Sequence, residues 1–362
     1  MTTIDVKTEG RSAHDVLAWS RMTVEPALRA AIDTLPPAMM RIAGYHFGWW
    51  NEHGQPVKVP EKAPEKTPEK TPEKAPGGKA IRPTLALLSA HAVGGVPTVA
   101  APAAVAVELV HNFSLLHDDV MDGDLTRRHR PTAWSVFGVN GAILAGDALL
   151  TLALDVLAAS GHPAATDATR TLSAAVQELL DGQSADLDLE RRAEVELGEC
   201  LSMAARKTGA LMGCACAVGA LFGGGNVEQV EGLRRFGMHL GLAFQHVDDL
   251  LGIWGDPAVT GKPVYSDLRS RKKSLPVVAA LTSDTSAGRE LAALYHRDQE
   301  LSGTDLVHAA ELIDIAGGRA WSQTQADDLL ARAMRQLPLV GPTARAVAEL
   351  GALARLATHR DN

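Results

Sequence analysis

From Pro83 to its C-terminus this chain is a procession of Ala- and Leu-rich segments, each closed by a short connection that carries Gly or Pro. Within the segments apolar residues recur at three- and four-residue spacing, and no stretch keeps the strict alternation of a half-buried strand. That period predicts helices over about 83–93, 98–122, 140–160, 164–183, 193–206, 208–222, 226–254, 274–282, 286–300, 304–316, 318–336 and 342–358. Aromatic residues make up only 4% of the 362 positions while hydrophobic residues reach 46%, which suits interlocking helices better than a sandwich or a parallel sheet. The expected fold is all-α, a single large domain.

The front of the chain is different. Residues 1–22 are polar and read as a disordered arm, and the domain is expected to run over 23–362. A helical pattern over 24–42 must break or kink at Pro36-Pro37. Residues 57–76 then interrupt the domain with Pro-Glu-Lys at a four-residue period. A proline in every repeat forbids a continuous helix and the repeat has nothing to build a core with, so it reads as a solvated surface loop.

A net charge of -8 argues against a nucleic-acid partner, although it leaves room for a local basic patch that meets an anionic substrate. Cys200, Cys214 and Cys216 have neither disulfide-framework nor metal-ligand spacing and read as small buried apolar residues of a protein kept in a reducing cytoplasm. The charged N-terminus lacks the apolar core of a signal peptide. The uncharged run 208–225 is long enough to suggest a membrane span, but its Gly, Ala and Cys content makes it a buried helix, and no transmembrane segment is expected.

Against this apolar background the stretch LLHDDVMDGD places Asp118, Asp119, Asp122 and Asp124 at the end of one helix. Positions three and four apart share a helical face, so Asp118, Asp119 and Asp122 converge their carboxylates, and the repulsion calls for a hard divalent cation such as Mg²⁺. The structural alternative is a solvated acidic helix end. Arg127 and Arg128 follow at once, a sequence of acid and base that suits a metal-bridged anion. In LAFQHVDDLLGIWGD a second apolar run ends in Asp248 and Asp249, with Asp256 further on. Two such clusters make chemical sense in one chain if they face each other. Basic residues in GGKAIRP (Lys79, Arg82), ARKTG (Lys207, with Thr208), TGKPVYSD (Lys262) and RSRKKSLP (Lys272, Lys273) complete a set suited to phosphate-bearing substrates. No P-loop pattern is present.

In this order the motifs GGKxxRP, DDVMD with its arginine pair, GQSADLDLE, the Lys207-Thr208 pair, FQHVDD, TGKP and KKSLP make the chain from Gly77 to Pro276 resemble the E-type (trans) isoprenyl diphosphate synthases, the polyprenyl synthetase family. The resemblance implies a helical bundle around a deep apolar cavity, a homodimer, and two aspartate motifs facing each other at the cavity mouth. It implies that isopentenyl diphosphate condenses with an allylic diphosphate. Asp118, Asp122 and Asp248 would hold Mg²⁺, three ions per site, with Asp119 and Asp249 as supporting acids. Arg127, Lys207 and Lys262 resemble the family's allylic-diphosphate contacts, and Lys272 takes the position of its later substrate-binding lysine. Lys79, Arg82, His111 and Arg128 resemble its isopentenyl-diphosphate site. Thr208 and Gln245 would stand near the allylic cation. This chain departs from the pattern at Gly252, where an aspartate is expected, and at His129-Arg130, where a glycine commonly begins the turn.

Product length depends on what closes the cavity beside the DDVMD helix. Phe113, just over one turn before Asp118, with the small Ser114 after it, resembles the arrangement of a C20 synthase, and geranylgeranyl diphosphate is the expected product. A farnesyl or longer-chain synthase, a class I terpene cyclase and a catalytically silent subunit or assembly cargo are the competing readings. The last is motivated by the polar arm and the Pro-Glu-Lys loop, through either of which a protein partner could dock.

Overall fold

The computed structural model describes residues 10–57, 80–257, 263–297 and 299–359. Its helices are α1 Ala13–Ile32, α2 Pro37–His46, α3 Ile81–Ala92, α4 Ala101–Met121, α5 Ala133–Phe137, α6 Val139–Ala158, α7 Ala165–Arg191, α8 Leu197–Ala204, α9 Ala210–Phe222, α10 Val227–Trp254, α11 Ser266–Arg269, α12 Leu275–Leu281, α13 Ser286–Tyr295, α14 Gly303–Ile315, α15 Gly318–Val340 and α16 Ala344–Thr358. Among the described residues the only strands form a hairpin, Thr126–Arg127 paired with Arg130–Pro131. The all-α expectation holds.

At the centre runs α4, whose residues Ala103 to Val110 are all buried, with α3, α6 and α9 packed around it. Its small Ala and Val side chains let neighbours close in from every side, so it needs no polar face. The stretch 208–225 also behaves as expected, because α9 is buried almost throughout. All three cysteines are free and buried, and burial pushes the Cys200 and Cys216 thiols up to about 12, which keeps them unreactive. By length and composition two other stretches, 97–121 and 139–158, could cross a membrane. The first is the core helix α4, whereas α6 exposes Val139, Ile143 and Leu144 by 38% to 55% on its outer side.

The N-terminal arm is shorter than its polarity implies. Ser12 caps α1 by accepting the Asp15 N–H at 3.1 Å, and Val16 and Ser20 are buried, so the helix begins ten residues before the boundary drawn at 22/23. What the sequence hid is a long-range anchor. Glu349 on α16 has a wholly buried side chain that accepts from Arg11 Nε and Nη2, both at 2.9 Å, and from Arg345 Nε at 3.1 Å. Burial alone would raise its carboxyl, yet the Arg11 and Arg345 hydrogen bonds outweigh it and hold the group at about 2, below the ordinary 4.5. The stability this supplies is present above about pH 4.5 and is lost as pH falls towards 2. Urea unfolding of the wild type and of Glu349→Gln should therefore differ by up to about 3 kcal/mol near neutrality and converge in acid. An unchanged difference across that range would rule the carboxylate out as the source. Residues 1–9 and the repeat from 58 to 76 lie outside the described residues.

Two helices depart from expectation for a packing reason. α7 does not stop at Gln183 but continues to Arg191. Gly182 inside it is no terminator: a Cβ there would stand 2.4 Å from the Lys207 backbone nitrogen, so the glycine lets two chains touch. The segment it touches, Ala205–Gly209, is a single π turn between α8 and α9, where the expected helix over 193–206 had been drawn to its end.

Candidate active site

The two aspartate clusters stand at the C-terminal ends of α4 and α10. Asp118, one turn before the end of α4, has its carboxyl pushed up to about 6 by burial, with Asp122 and Asp186 adding to the rise and Lys207 and Arg127 opposing it. Burial raises Asp122 as well, against Lys207 and Lys272. Those shared neighbours put α4, α7, the π turn and the Lys272 loop around one acidic patch. Asp248 on α10 is exposed and its charge reaches both Lys272 and Arg82. Lys272 is therefore a cationic neighbour of both motifs. Among the described residues no three His, Cys, Asp or Glu side chains are gathered closely enough to cage an ion unaided.

The second aspartate of each pair has a different task. Asp119 is 1% exposed and its Oδ1 accepts from Arg127 Nε at 2.6 Å, which fixes the guanidinium over the cluster, while Oδ2 is buried without a partner. Asp249 is buried on α10. Its Oδ2 accepts the Leu275 N–H at 2.9 Å and its Oδ1 accepts from Gln245 Nε2 at 2.7 Å. Burial still drives its carboxyl up to about 7. The chain of bonds continues, since Thr208 Oγ1 donates to Gln245 Oε1 at 2.7 Å. With its proton committed there, the Thr208 oxygen keeps its lone pairs free for positive charge. Lys207 Nζ, carried by the π turn, donates to Asp186 Oδ2 at 2.6 Å.

Two turns earlier along α4 lies a more cationic group. Arg82 Nη1 stands 3.3 Å from His111 Nε2, and Arg82 Nε is buried without a partner. Burial, then Arg82 and Arg128, hold the His111 imidazole neutral, well below its ordinary range. Lys79 and Lys262, expected at these two sites, lie outside the described residues.

A polyprenyl synthetase model matches residues 71–313. The chain belongs to the polyprenyl synthetase family. It is 46% identical to the (2E,6E)-farnesyl diphosphate synthase of Mycobacterium tuberculosis over 95% of this chain and 92% of that one. A geranylgeranyl diphosphate synthase of the same organism is 45% identical over 89% and 88% of the two chains. Among solved structures, a polyprenyl synthetase from Streptomyces coelicolor A3(2) superposes with a TM-score of 0.87 at 46% identity, covering 95% of this chain and 99% of that one. Prenyl chain elongation is the activity common to these relatives, and their product lengths differ.

For a polyprenyl synthetase the site holds residues that sequence reasoning did not single out. Glu108 is a buried carboxylate beneath Arg82; its Oε1 accepts from Asn112 Nδ2 at 3.1 Å. His46 arrives from α2, and burial, with Arg128 and Arg127, pushes its imidazole down to about 3 while its Nε2 lacks a partner. The Asn112 side chain, which opposes the fall of the His46 imidazole, and the buried Arg82 Nε bring further polar atoms to this neighbourhood. Only Glu108 had a visible signal, an acid three residues before His111 inside an apolar helix. Asp186 stood within the quoted GQSADLDLE, but its role depended on facing inward, at 7% exposure, where Asp188 is 68% exposed.

The chain after DDVMD turns in a two-stranded hairpin, with Thr126 opposite Pro131 and Arg127 opposite Arg130. Arg128 and His129 both take the left-handed conformation, with φ of 51° and 62°, where glycine would be unstrained. Arg130 holds the turn in place: Nη2 donates to the Trp50 carbonyl at 3.0 Å and the guanidinium lies 4.5 Å from the Tyr45 ring centre. Phe113 is 3% exposed and meets His117 edge-on at 4.8 Å. His117 in turn lies across Gly146 of α6, where any Cβ would come within 2.3 Å of its Nε2.

Proposed function

We propose that this polyprenyl synthetase elongates an allylic diphosphate with isopentenyl diphosphate and releases mainly the C20 product, geranylgeranyl diphosphate. The observation that carries the reading is the meeting of two aspartate-bearing helix ends with Arg127, Lys207 and Lys272, with Phe113 buried five residues before Asp118 on α4.

The donor set fits Mg²⁺. It is all hard oxygen, Asp122 and Asp186 add to the rise that burial gives Asp118, and Mg²⁺ takes few carboxylates together with water and phosphate oxygens. Asp118, Asp122 and Asp248 would hold Mg²⁺, which when bound would neutralise the charge that gathers on a departing diphosphate. Arg127, Lys207, Lys262 and Lys272 grip the allylic diphosphate itself. The allylic C–O bond breaks and diphosphate leaves with the electron pair. The Thr208 oxygen faces the cation that remains. Lys79, Arg82, His111 and Arg128 hold the isopentenyl diphosphate, whose double bond forms the new C–C bond, and a proton passes to the released diphosphate. Packed apolar side chains on α4 exclude the water that would quench the cation.

One aromatic at 113 beside the small Ser114 favours C20 over C15. The outward apolar face of α6 supports a homodimer, and the absence of reactive thiols is in keeping with a cytoplasmic protein. With α1 anchored from Arg11 onward, the polar residues before it and the Pro-Glu-Lys repeat are the sequence elements offered for a protein partner.

Purified protein incubated with Mg²⁺, isopentenyl diphosphate and, separately, dimethylallyl, geranyl or farnesyl diphosphate should sediment as two chains and yield C20 diphosphate by mass. A halt at C15 would reject the length assignment. A hydrocarbon made without isopentenyl diphosphate would point to a cyclase, and no product from any primer to a silent subunit. A single-chain mass would reject the dimer.

A further inference from the structure

The second aspartate cluster ends in Gly252, on α10, where the family resemblance leads one to expect an acid. The position is not vacant space. A Cβ built on Gly252 would stand 2.2 Å from Asp267 Oδ2, 2.4 Å from its Cγ and 2.7 Å from its Oδ1. A carboxylate from α11, fifteen residues later in the chain, lies directly on the bare Cα. Ser266 bridges the two helices: its Oγ is 3.2 Å from the Gly252 carbonyl and 3.2 Å from Asp267 Oδ1.

Asp267 also governs the lysine that follows. Its backbone carbonyl accepts the Lys272 N–H at 2.8 Å, closing the loop that carries this side chain. Its carboxylate acts on the Lys272 ammonium more strongly than Asp249, Asp186 or Asp248 does, and together they keep that ammonium charged although burial opposes it. A glycine near the end of a helix is otherwise a small loss of stability relative to alanine. Here it is the condition for a foreign carboxylate to sit there.

We propose that Asp267 is a positioning residue: its carboxylate occupies the seat left open by Gly252, acts as the third acid of the second cluster, and orients Lys272 toward the diphosphate. The inference rests on the diphosphate-binding reading above and adds to it a residue and a reason for the glycine.

The sign of the effect separates positioning from bystanding. A carboxylate that merely stood nearby would repel a diphosphate, and its removal would tighten binding. If Asp267 orients Lys272, Asp267→Ala should weaken the binding of inorganic pyrophosphate with Mg²⁺ about tenfold in calorimetry, the scale of one lost charge partner. Returning the carboxylate from the other helix, in Gly252→Asp/Asp267→Ala, should restore it. Tighter binding in Asp267→Ala, or no recovery in the double variant, would overturn the proposal. A second arm needs neither ligand nor turnover. Gly252→Ala should lower the metal-free melting temperature when Asp267 is present and raise it in the Asp267→Ala background, and equal shifts in both would also overturn it. Failure to elongate by a wild type that binds pyrophosphate would reject the proposed reaction and leave both arms to judge Asp267.

Discussion

Asp118→Asn should lose elongation activity by about 100- to 1,000-fold in kcat while the metal-free protein becomes no less stable. The amide keeps the size of the carboxylate and removes its charge. Because the folded-state carboxyl is raised to about 6 from an ordinary 3.8, the native protein holds the extra proton between those values, and its stability falls as pH rises across that window. The penalty is fully present above about pH 6 and absent below about pH 4, so the asparagine variant should melt higher than wild type at neutrality, by the order of 1–3 kcal/mol, and equally in acid. This divergence of stability from activity is the signature of a group placed for chemistry against its own electrostatic interest. Melting curves at the two pH values, beside steady-state rates, check it. A variant that keeps its rate would remove Asp118 from the reaction.

Phe113→Ala should lengthen the product beyond C20. The ring is buried beside α6 and its edge-on contact with His117, itself laid across Gly146, keeps it from swinging aside. Truncation opens a void in line with the growing chain, at a cost of about 3–5 kcal/mol in stability that part of the substrate tail would recover on binding. Mass analysis of products made from farnesyl diphosphate should show C25 and longer species. An active variant that still stops at C20 would show that another side chain forms the floor.

Much of this was legible from sequence because it is written locally. Helix period, the proline break before α2 and the aspartates at i, i+1 and i+4 need only short-range geometry, and the ordered motifs identified the family without a contact map. The glycines were read least well, since a glycine looks like punctuation in one dimension. The helix expected over 164–183 runs on to Arg191, and Gly182 within it lets the Lys207 turn approach; Gly252 looked like a lost acid and instead makes room for Asp267. Both depend on what a distant segment brings to the same point.

The sequence by itself determined an all-helical bundle with two acidic helix ends and a basic set around them, because periodicity and like-charge spacing act over a few residues. Tertiary structure alone decided which acids serve which cations: Asp119 fixes Arg127, Asp186 fixes Lys207, and Glu349 anchors Arg11 from 338 positions away. It also brought His46, Glu108 and Asn112 to the Arg82 side of α4. Those pairings follow from burial, which raises the cost of an unpartnered charge until a partner far along the chain is required to meet it.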